Sequence, residues 1–585
     1  MYKKVGNNPG RFVMMSKFLI GFILVSFLVD RTVIAAENLS TLLESRGAEF
    51  LRQAAAPGTS DSRAVYLRFV EIVARELGKS GDRETAARLT NAISEPYAGM
   101  FPKTEFAWIT HTFAREFYKD AIIKETGELI RFKTFATDVP NRMNPEFVKQ
   151  KEYLHALATR LGLNFRDVGG YVQEIWIGEG KQSFGLMSHS DVQPVDPTEW
   201  SRDPWSGEVF DGKIWGRGSV DDKGPIVAIM YGMRAILDSG LPLNRKIILL
   251  VGTDEESANE DVTTYLQKNK APDETIVVDS NFPVICAEKG WGGFWLTIPR
   301  RRSLPSSQGL LIVDLQSGFS PSIVPGKATT KLFSLGRPAA ITVQEIQTTI
   351  DAFTKKRSKA QLSVEMVRDT IVLTAIGKSV HSSVPSTGHN ALMDLLVFLD
   401  RHVMPIENDI ALMAKFASTY IGLELNGKGL GIAHRDSFMG PLTVSGNMFQ
   451  TTDTTVMFMF NLRIPRGMET ERVAREVEQR MEDFGGRYGV RFSDRRYLGE
   501  PLYNDPETPF VQRLLAVYNS ITKENRKAQS ISGGTYAQRI PNSVVFGPAL
   551  PEEEYLGHQP DEYFKISTLM RNIEILTNAM VEFGM

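Results

Sequence analysis

The sequence has only one cysteine and no surplus of basic residues. With Cys286 alone, no disulfide can form within the chain, so stability has to come from a hydrophobic core and bound groups. The 67 lysines and arginines face 69 acidic residues, which gives a net charge of -2. Nucleic-acid-binding proteins usually carry a basic excess, and we therefore expect no nucleic-acid partner.

The N-terminus contains an apolar run, Phe18 to Val29, which is short for a bilayer span. Lysines and arginines precede it, and Ala35 and Ala36 follow it as small residues for cleavage. This order predicts a signal peptide over residues 1–36 and a protein exported to the periplasm or beyond, with no stable membrane partner after cleavage. An uncleaved membrane anchor is the alternative.

The 585 residues are too many for one ordinary core, which predicts several domains. After the signal peptide we expect a helical N-terminal extension that packs on the main domain. An α/β main domain in two parts, with an α+β domain inserted between the parts, should follow. The predicted bounds are 37–118 for the extension, 119–290 and 495–585 for the main domain, and 291–494 for the inserted domain.

Hydrophobic periodicity supports this division. Helical spacing covers Ala64 to Gly78 and Phe106 to Ile130 in the extension. Three short apolar runs, at 183–189, 245–253 and 274–279, suit buried strands, and Pro225 to Leu237 reads as a helix with proline in its first turn. They predict a sheet with helices on both faces. In the inserted domain, Thr454 to Pro465 predicts a strand, followed by an amphipathic helix.

Metal-binding residue types follow these predicted strands. His189 begins an H-x-D motif in which Asp191 can orient the imidazole, and Asp221 and Asp222 precede the helix at 225. Glu255 and Glu256 suit a division between proton transfer and metal binding, and Asp279 ends the next strand. A lone H-x-D is more often structural, and an acidic run such as DEESANED is usually a solvated loop. The candidate ligands His189, Asp221, Glu256 and Asp279, however, all fall at the ends of predicted strands. This shared position favours a zinc site, with manganese or cobalt as substitutes.

At these residues the sequence resembles the co-catalytic zinc family of aminoacylases, glutamate carboxypeptidases, desuccinylases and dipeptidases. H-S-D-V-Q-P, G-R-G-S-V-D-D-K-G, the E-E pair and the later aspartate occur in the family's order over about 119–585. The resemblance implies two zinc ions, bridged by Asp221, whose peptide bond to Asp222 is expected to be cis. It implies that Glu255 is the general base, and that the metal ligands are His189, Asp221, Glu256, Asp279 and His558.

The resemblance also implies that the main domain is the catalytic domain and the inserted domain its lid, and it assigns further residues that contact the substrate. His381, in G-K-S-V-H-S-S-V-P, would donate to the oxyanion of the tetrahedral intermediate. Arg463, in F-N-L-R-I-P, would pair with a terminal carboxylate, although a surface charge at a strand end is its alternative. Gly533, Gly534 and Thr535, in S-G-G-T-Y, match a backbone loop that holds the substrate.

An aspartate at position 279 goes with dipeptidases and aminopeptidases, and the long lid resembles the monomeric bacterial dipeptidases. Two features depart from them. Ser322 stands where those enzymes place an asparagine in a lid turn, and the helical extension is additional. We therefore expect a two-zinc dipeptidase, a monomer, that cleaves short peptides. A deacylase of N-acyl amino acids and a non-catalytic binding protein on the same scaffold are the alternatives.

Overall fold

The computed structural model describes residues 37–55, 61–94, 103–301, 308–357 and 359–585. The predicted signal peptide lies outside these residues. The chain divides into two compact units. Unit 1 contains the described residues up to Val284, with Glu507–Lys527 and Arg539–Met585, and unit 2 contains Ile285–Pro506 and Ala528–Gln538. Unit 2 thus takes 528–538, a segment that the sequence pattern placed in the second part of the catalytic domain.

Ten α-helices are described in unit 1, and several end at glycines that adopt positive φ, as Gly81, Gly162 and Gly240 do. Asn144 caps one of them and Pro145 opens it, which is a typical start signal. The helices are α1 (37–54), α2 (Ser62–Ser80), α3 (Arg83–Ser94), α4 (Lys103–Phe117), α5 (Lys119–Ile130), α6 (Pro145–Leu161), α7 (Gly224–Ser239), α8 (Glu260–Lys268), α13 (Pro509–Thr522) and α14 (Ile566–Gly584).

The main sheet of unit 1 is mixed. Its strands are β1 (Asn164–Val168), β2 (Val172–Ile177), β3 (Ser183–His189), β6 (Lys246–Gly252), β7 (Glu274–Val277) and β24 (Ser543–Val545). They run in the order β1-β2-β6-β3-β7-β24, and β3 is parallel to both β6 and β7. Short pairings involve β4 (Val209–Phe210), β5 (Lys213–Trp215), β8 (Ser280–Asn281), β25 (Pro548–Ala549) and β26 (Tyr563–Lys565).

The N-terminal extension packs on unit 1, as predicted, through buried contacts to α7 and α14. Asp238 of α7 accepts hydrogen bonds from Ser62 Oγ, at 2.7 Å, and from the Tyr118 hydroxyl. Lys103 Nζ donates to the Glu582 main-chain oxygen at 2.6 Å. Because these partners are 120 to 479 residues apart in sequence, the extension is part of the core of unit 1.

Unit 2 is built on an eight-stranded antiparallel sheet in the order β14-β15-β13-β11-β19-β20-β10-β21. Its helices are α9 (Ala339–Lys356), α10 (Ala391–Phe398), α11 (Asp409–Tyr420) and α12 (Thr470–Tyr488). Its strands are β9 (Ile285–Glu288), β10 (Gly290–Pro299), β11 (Gly309–Ser317), β12 (Ile323–Val324), β13 (Lys327–Leu335), β14 (Gln361–Val367), β15 (Thr370–Ile376), β16 (Val380–His381), β17 (Arg435–Asp436), β18 (Gly440–Pro441), β19 (Thr443–Thr451), β20 (Thr455–Ile464), β21 (Ser493–Leu498), β22 (Leu502–Tyr503) and β23 (Gln529–Ile531).

One face of this sheet forms the hydrophobic core of unit 2. Strand β20 alternates strictly, and its core residues are Val456, Phe458, Phe460, Leu462 and Ile464. Since successive side chains point to opposite faces of a sheet, the residues between them, Arg463 among these, point away from that core.

Two sequence predictions differ in detail from the structure. The helix expected over 106–130 is two helices, because the chain turns at Tyr118. Asp221 does not end a strand of the main sheet: it follows β5, which belongs to a three-stranded sheet with β4 and β26. The helices among the described residues are all too short or too polar to cross a bilayer.

Candidate active site

Three of the predicted metal ligands are brought together by the main sheet of unit 1. His189 is the last residue of β3, while Glu256 and Asp279 follow β6 and β7, the two parallel neighbours of β3. Parallel strands end at the same edge of a sheet, so their following loops converge there. His189 Nε2 lies 3.5 Å from Asp279 Oδ1.

Asp221 stands between two histidines. Its Oδ1 lies 3.0 Å from His189 Nε2, and its Oδ2 lies 3.1 Å from His558 Nε2. His558 Nε2 is also 2.9 Å from Glu256 Oε2. The Asp221–Asp222 peptide bond is cis, as expected from the sequence. The two oxygens of one carboxylate therefore face two different histidines.

The chemistry and spacing of these groups fit metal ions. Ligand atoms of His189, Asp221 and Glu256 lie within 4.8 Å of one another, and so do those of His189, Asp222 and Asp279. Four ligands about 2.1 Å from a tetrahedral zinc ion lie about 3.4 Å from one another, close to the distances between these side chains. Glu256 Oε1 is buried and has no hydrogen-bond partner within the described part of the chain, which leaves it able to bind a cation.

The electrostatics of the cluster also favour bound cations. Burial raises the pKa of Glu255 well above its usual value, and the nearby Asp279 charge raises it further. Burial raises the pKa of Asp279 to about 6 in spite of the opposing charge of His189. Several buried carboxylates at one place repel one another, and divalent cations relieve both the repulsion and the cost of burial.

Asp191 supports the site in a way that the sequence did not show. Its main-chain oxygen lies 2.9 Å from His189 Nδ1, while its carboxylate Oδ1 is 3.5 Å from that nitrogen. The same carboxylate accepts the main-chain N–H groups of Glu255, at 3.2 Å, and Glu256, at 3.0 Å. Asp191 thus fixes the histidine and the glutamate pair together.

Glu562 and Gly557 are further supporting residues that sequence reasoning missed. The buried Glu562 carboxylate accepts from Arg217 Nη1 at 2.7 Å and from the main-chain N–H groups of Val220, at 3.1 Å, and Asp221, at 3.4 Å. A Cβ atom on Gly557 would lie only 2.5 Å from Asp221 Oδ2. Glu562 therefore holds the Asp221 turn. The absence of a side chain at Gly557 leaves room for the Asp221 carboxylate.

In unit 2, His381 lies at the end of β16 and is exposed. Its Nδ1 lies 2.6 Å from Ser383 Oγ, and the Ser383 main-chain N–H donates to the same nitrogen at 3.4 Å. Since Nδ1 accepts a hydrogen bond, the ring proton belongs on Nε2, which can act as a donor. The turn that carries Ser322 is adjacent, because Ile323 of β12 pairs with His381.

Arg463 is buried, with 3% of its surface exposed, so the reading of it as a surface charge is wrong. Its Nη2 lies 3.4 Å from Ser382 Oγ. The loop with Gly534 and Thr535 also belongs to unit 2. Glu288 holds this loop, because its carboxylate accepts from the Thr535 N–H at 3.1 Å and from Thr535 Oγ1 at 2.8 Å.

Comparison with known proteins agrees with this geometry. The profile of a family described as "Peptidase family M20/M25/M40" matches residues 185–582. Two relatives from Staphylococcus aureus, "Putative dipeptidase SAB1611c" (strain bovine RF122 / ET3-1) and "Putative dipeptidase SAUSA300_1697" (strain USA300), are each 28% identical over 471 residues. Each alignment covers 79% of this chain and 97% of the relative.

A solved structure shares the fold. The crystal structure of human carnosine dipeptidase 1 matches with a TM-score of 0.51 and 13% sequence identity. The match covers 82% of this chain and 98% of that one. At this identity the likeness concerns the fold alone.

Proposed function

Since the chain belongs to the peptidase family M20/M25/M40, which confirms the resemblance predicted from its motifs, we propose that it is a two-zinc dipeptidase. The observation that carries the proposal is Asp221, whose two carboxylate oxygens each lie about 3 Å from a different histidine. Supporting it, His189 Nε2 lies 3.5 Å from Asp279 Oδ1, and His558 Nε2 lies 2.9 Å from Glu256 Oε2.

Two zinc ions, when bound, supply an acidified water and polarise the scissile carbonyl. His189, Asp221 and Asp279 would hold one ion, and Asp221, Glu256 and His558 the other. Manganese or cobalt suit the same ligands.

Glu255 is the proposed general base. It would take a proton from the attacking water and pass it to the leaving amine. Burial and the charge of Asp279 raise the pKa of Glu255, which favours its protonated form and so supports a role as proton acceptor. Asp191 orients Glu255, because its carboxylate accepts the main-chain N–H of Glu255.

In unit 2, His381 is the proposed hydrogen-bond donor to the oxyanion. Arg463 is the proposed partner of the substrate's terminal carboxylate. The proton placed on His381 Nε2 supports the first role. The buried guanidinium of Arg463, which can bind a carboxylate bidentately, supports the second. The main chain at Gly534 and Thr535 would bind the peptide.

Hydrolysis of Ala-Ala and of N-acetyl-alanine by the zinc-loaded protein tests this function. We expect cleavage of Ala-Ala with little cleavage of N-acetyl-alanine. The reverse preference would make the protein a deacylase and contradict the proposal, and zinc binding without either hydrolysis would favour a non-catalytic binding protein.

The proposal extends to location and assembly. We propose an exported protein that acts as a monomer. Sequencing of the mature N-terminus should begin at residue 37, and sedimentation should give one chain per particle. An intact N-terminus or a stable dimer would overturn the respective part.

A further inference from the structure

A pair of buried cations occupies one end of the unit 2 sheet, on the face opposite the hydrophobic core. Trp291 of β10 lies directly opposite Arg463 of β20, and Arg463 lies opposite Thr443 of β19. Directly opposite residues of antiparallel strands present their side chains on the same face. Lys289 precedes Trp291 by two residues, which places it on this face as a diagonal neighbour of Arg463.

The side chain of Lys289 crosses toward Arg463. Strand β20 lies between β10 and β19 in the sheet. Lys289 comes just before β10, yet its Nζ donates to the main-chain oxygen of Pro441, just before β19, at 2.7 Å. The ammonium therefore extends across the end of β20, where Arg463 lies. Both residues are buried, with 3% of their surface exposed.

Neither cation forms an ion pair within the described residues. Arg463 reaches only the Ser382 hydroxyl, and its Nε is buried with no acceptor in that part of the chain. The nearest acidic group along the chain, Glu288, uses its carboxylate to hold Thr535. Burial lowers the pKa of Arg463, and the charge of Glu288 raises it without forming an ion pair, so Glu288 offsets the cost of burying the two cations only in part. The two positive charges also repel each other.

Other polar groups on the same face also lack partners within the described segments. They are the indole Nε1 of Trp291, the hydroxyl of Thr443 and both side-chain heteroatoms of Asn461. Buried donors without acceptors are rare in folded proteins, and a group of them around two cations is typical of a site for an anionic ligand.

Lys289 and Arg463 together carry two positive charges, whereas one carboxylate carries a single negative charge. The two oxygens of a terminal carboxylate can accept two parallel N–H bonds from one guanidinium, so a single carboxylate is enough to pair with Arg463. The ammonium of Lys289 keeps two further donors beyond its bond to Pro441. Burial, and then the charges of Arg463 and Arg435, lower its pKa to about 8, so it is largely charged at neutral pH and gains from an anion.

We infer that Lys289 is a specificity residue that binds a second carboxylate of the substrate, so that peptides with an aspartate or glutamate at the C-terminus are preferred. This inference rests on the proposed dipeptidase function. In it, Arg463 binds the terminal carboxylate while Lys289 binds the acidic side chain of the same residue.

The test compares kcat/KM for Ala-Asp and for Ala-Ala in the zinc-loaded full chain and in Lys289→Met. We expect wild-type protein to favour Ala-Asp by about 10–100-fold, the value of one charged hydrogen bond. In Lys289→Met the ratio should fall to about 1, while Lys289→Arg should retain most of it. Because both substrates are measured on one sample, the ratio does not depend on the fraction of folded enzyme.

Lys331→Met is the matched control. Lys331 lies in β13 of the same sheet, its side chain is 53% exposed and it pairs with Asp314, so its loss should leave the ratio unchanged. A wild-type ratio near 1, or a Lys289→Met ratio equal to that of wild type, would overturn the inference.

Hydrolysis of neither dipeptide would contradict the proposed function, and a binding measurement would then decide the inference. Calorimetry should show tighter binding of L-aspartate than of L-alanine to wild-type protein, and equal binding of the two to Lys289→Met. Equal binding to wild-type protein would overturn the inference.

Discussion

The two units of the molecule bury charge of opposite sign. In unit 1, Asp221, Asp222, Glu256 and Asp279 gather around His189 with more carboxylates than nearby protein cations. In the described part of unit 2, Lys289 and Arg463 are buried and no carboxylate forms an ion pair with either. Burial of unpaired charge opposes folding in both units.

The two clusters therefore suit ligands of opposite charge. Carboxylates together with imidazoles select divalent cations, whereas a guanidinium beside an ammonium selects carboxylates. Under the proposed function, unit 1 therefore carries out bond cleavage and unit 2 recognises the acidic groups of the substrate. Variants of the two clusters should thus differ in which kinetic constant they change.

Loss of the Glu255 carboxylate should have the largest effect. Glu255→Gln keeps the size of the side chain and removes the base, so kcat for Ala-Ala should fall by about 10²–10⁴-fold with metal content unchanged. Glu260→Gln, at the exposed first residue of α8, is the control. Near-normal turnover by Glu255→Gln would refute the base assignment.

Arg463→Gln should act mainly on KM. Loss of a charged, bidentate contact should lower kcat/KM for Ala-Ala by about 10–100-fold, with metal content and the folded state unaffected. Arg466→Gln offers a control near the end of the same strand, because that arginine is 41% exposed and pairs with Asp436. Equal losses in both variants would argue against a specific role for Arg463.

Glu562→Gln tests whether Glu562 holds the Asp221 turn for zinc binding without taking part in the hydrolytic step. The variant keeps the shape of the side chain but weakens its hold on Arg217 and on the Asp221 N–H. Zinc affinity should fall by about 10-fold, as measured by competition with a chelator, and excess zinc should restore kcat. Unchanged zinc affinity would show that the turn holds its position without this carboxylate.

The preference for Ala-Asp should depend on pH. The buried Lys289, next to Arg463 and Arg435, loses its proton as pH rises through about 8, and it then no longer attracts a second carboxylate. Since kcat/KM reports the free enzyme, the Ala-Asp to Ala-Ala ratio should fall by about 5–10-fold between about pH 7 and about pH 9. A ratio that is constant over this range would contradict the charge assigned to Lys289.

The sequence predicted the parts of the site that depend on local order. Strand ends and H-x-D, D-D and E-E motifs pointed to His189, Asp221, Glu256 and Asp279, which the fold brings together in unit 1. Their roles as ligands stay a prediction until metal is measured. The mixed sheet and the helical extension could be predicted because periodicity records burial.

Residues that act through strand register or distant contacts could not be predicted. Glu562 reaches Asp221 across 341 residues of sequence. Lys289 faces Arg463 only because Trp291 is in register with it. The break between α4 and α5 likewise coincides with the bond from Tyr118 to Asp238, which no local pattern records.

The most direct test measures metal content and Ala-Ala hydrolysis on one purified sample, before and after chelation. The account predicts about two zinc ions per chain, loss of turnover when they are removed, and recovery when zinc is returned. Turnover that survives complete removal of metal would contradict it.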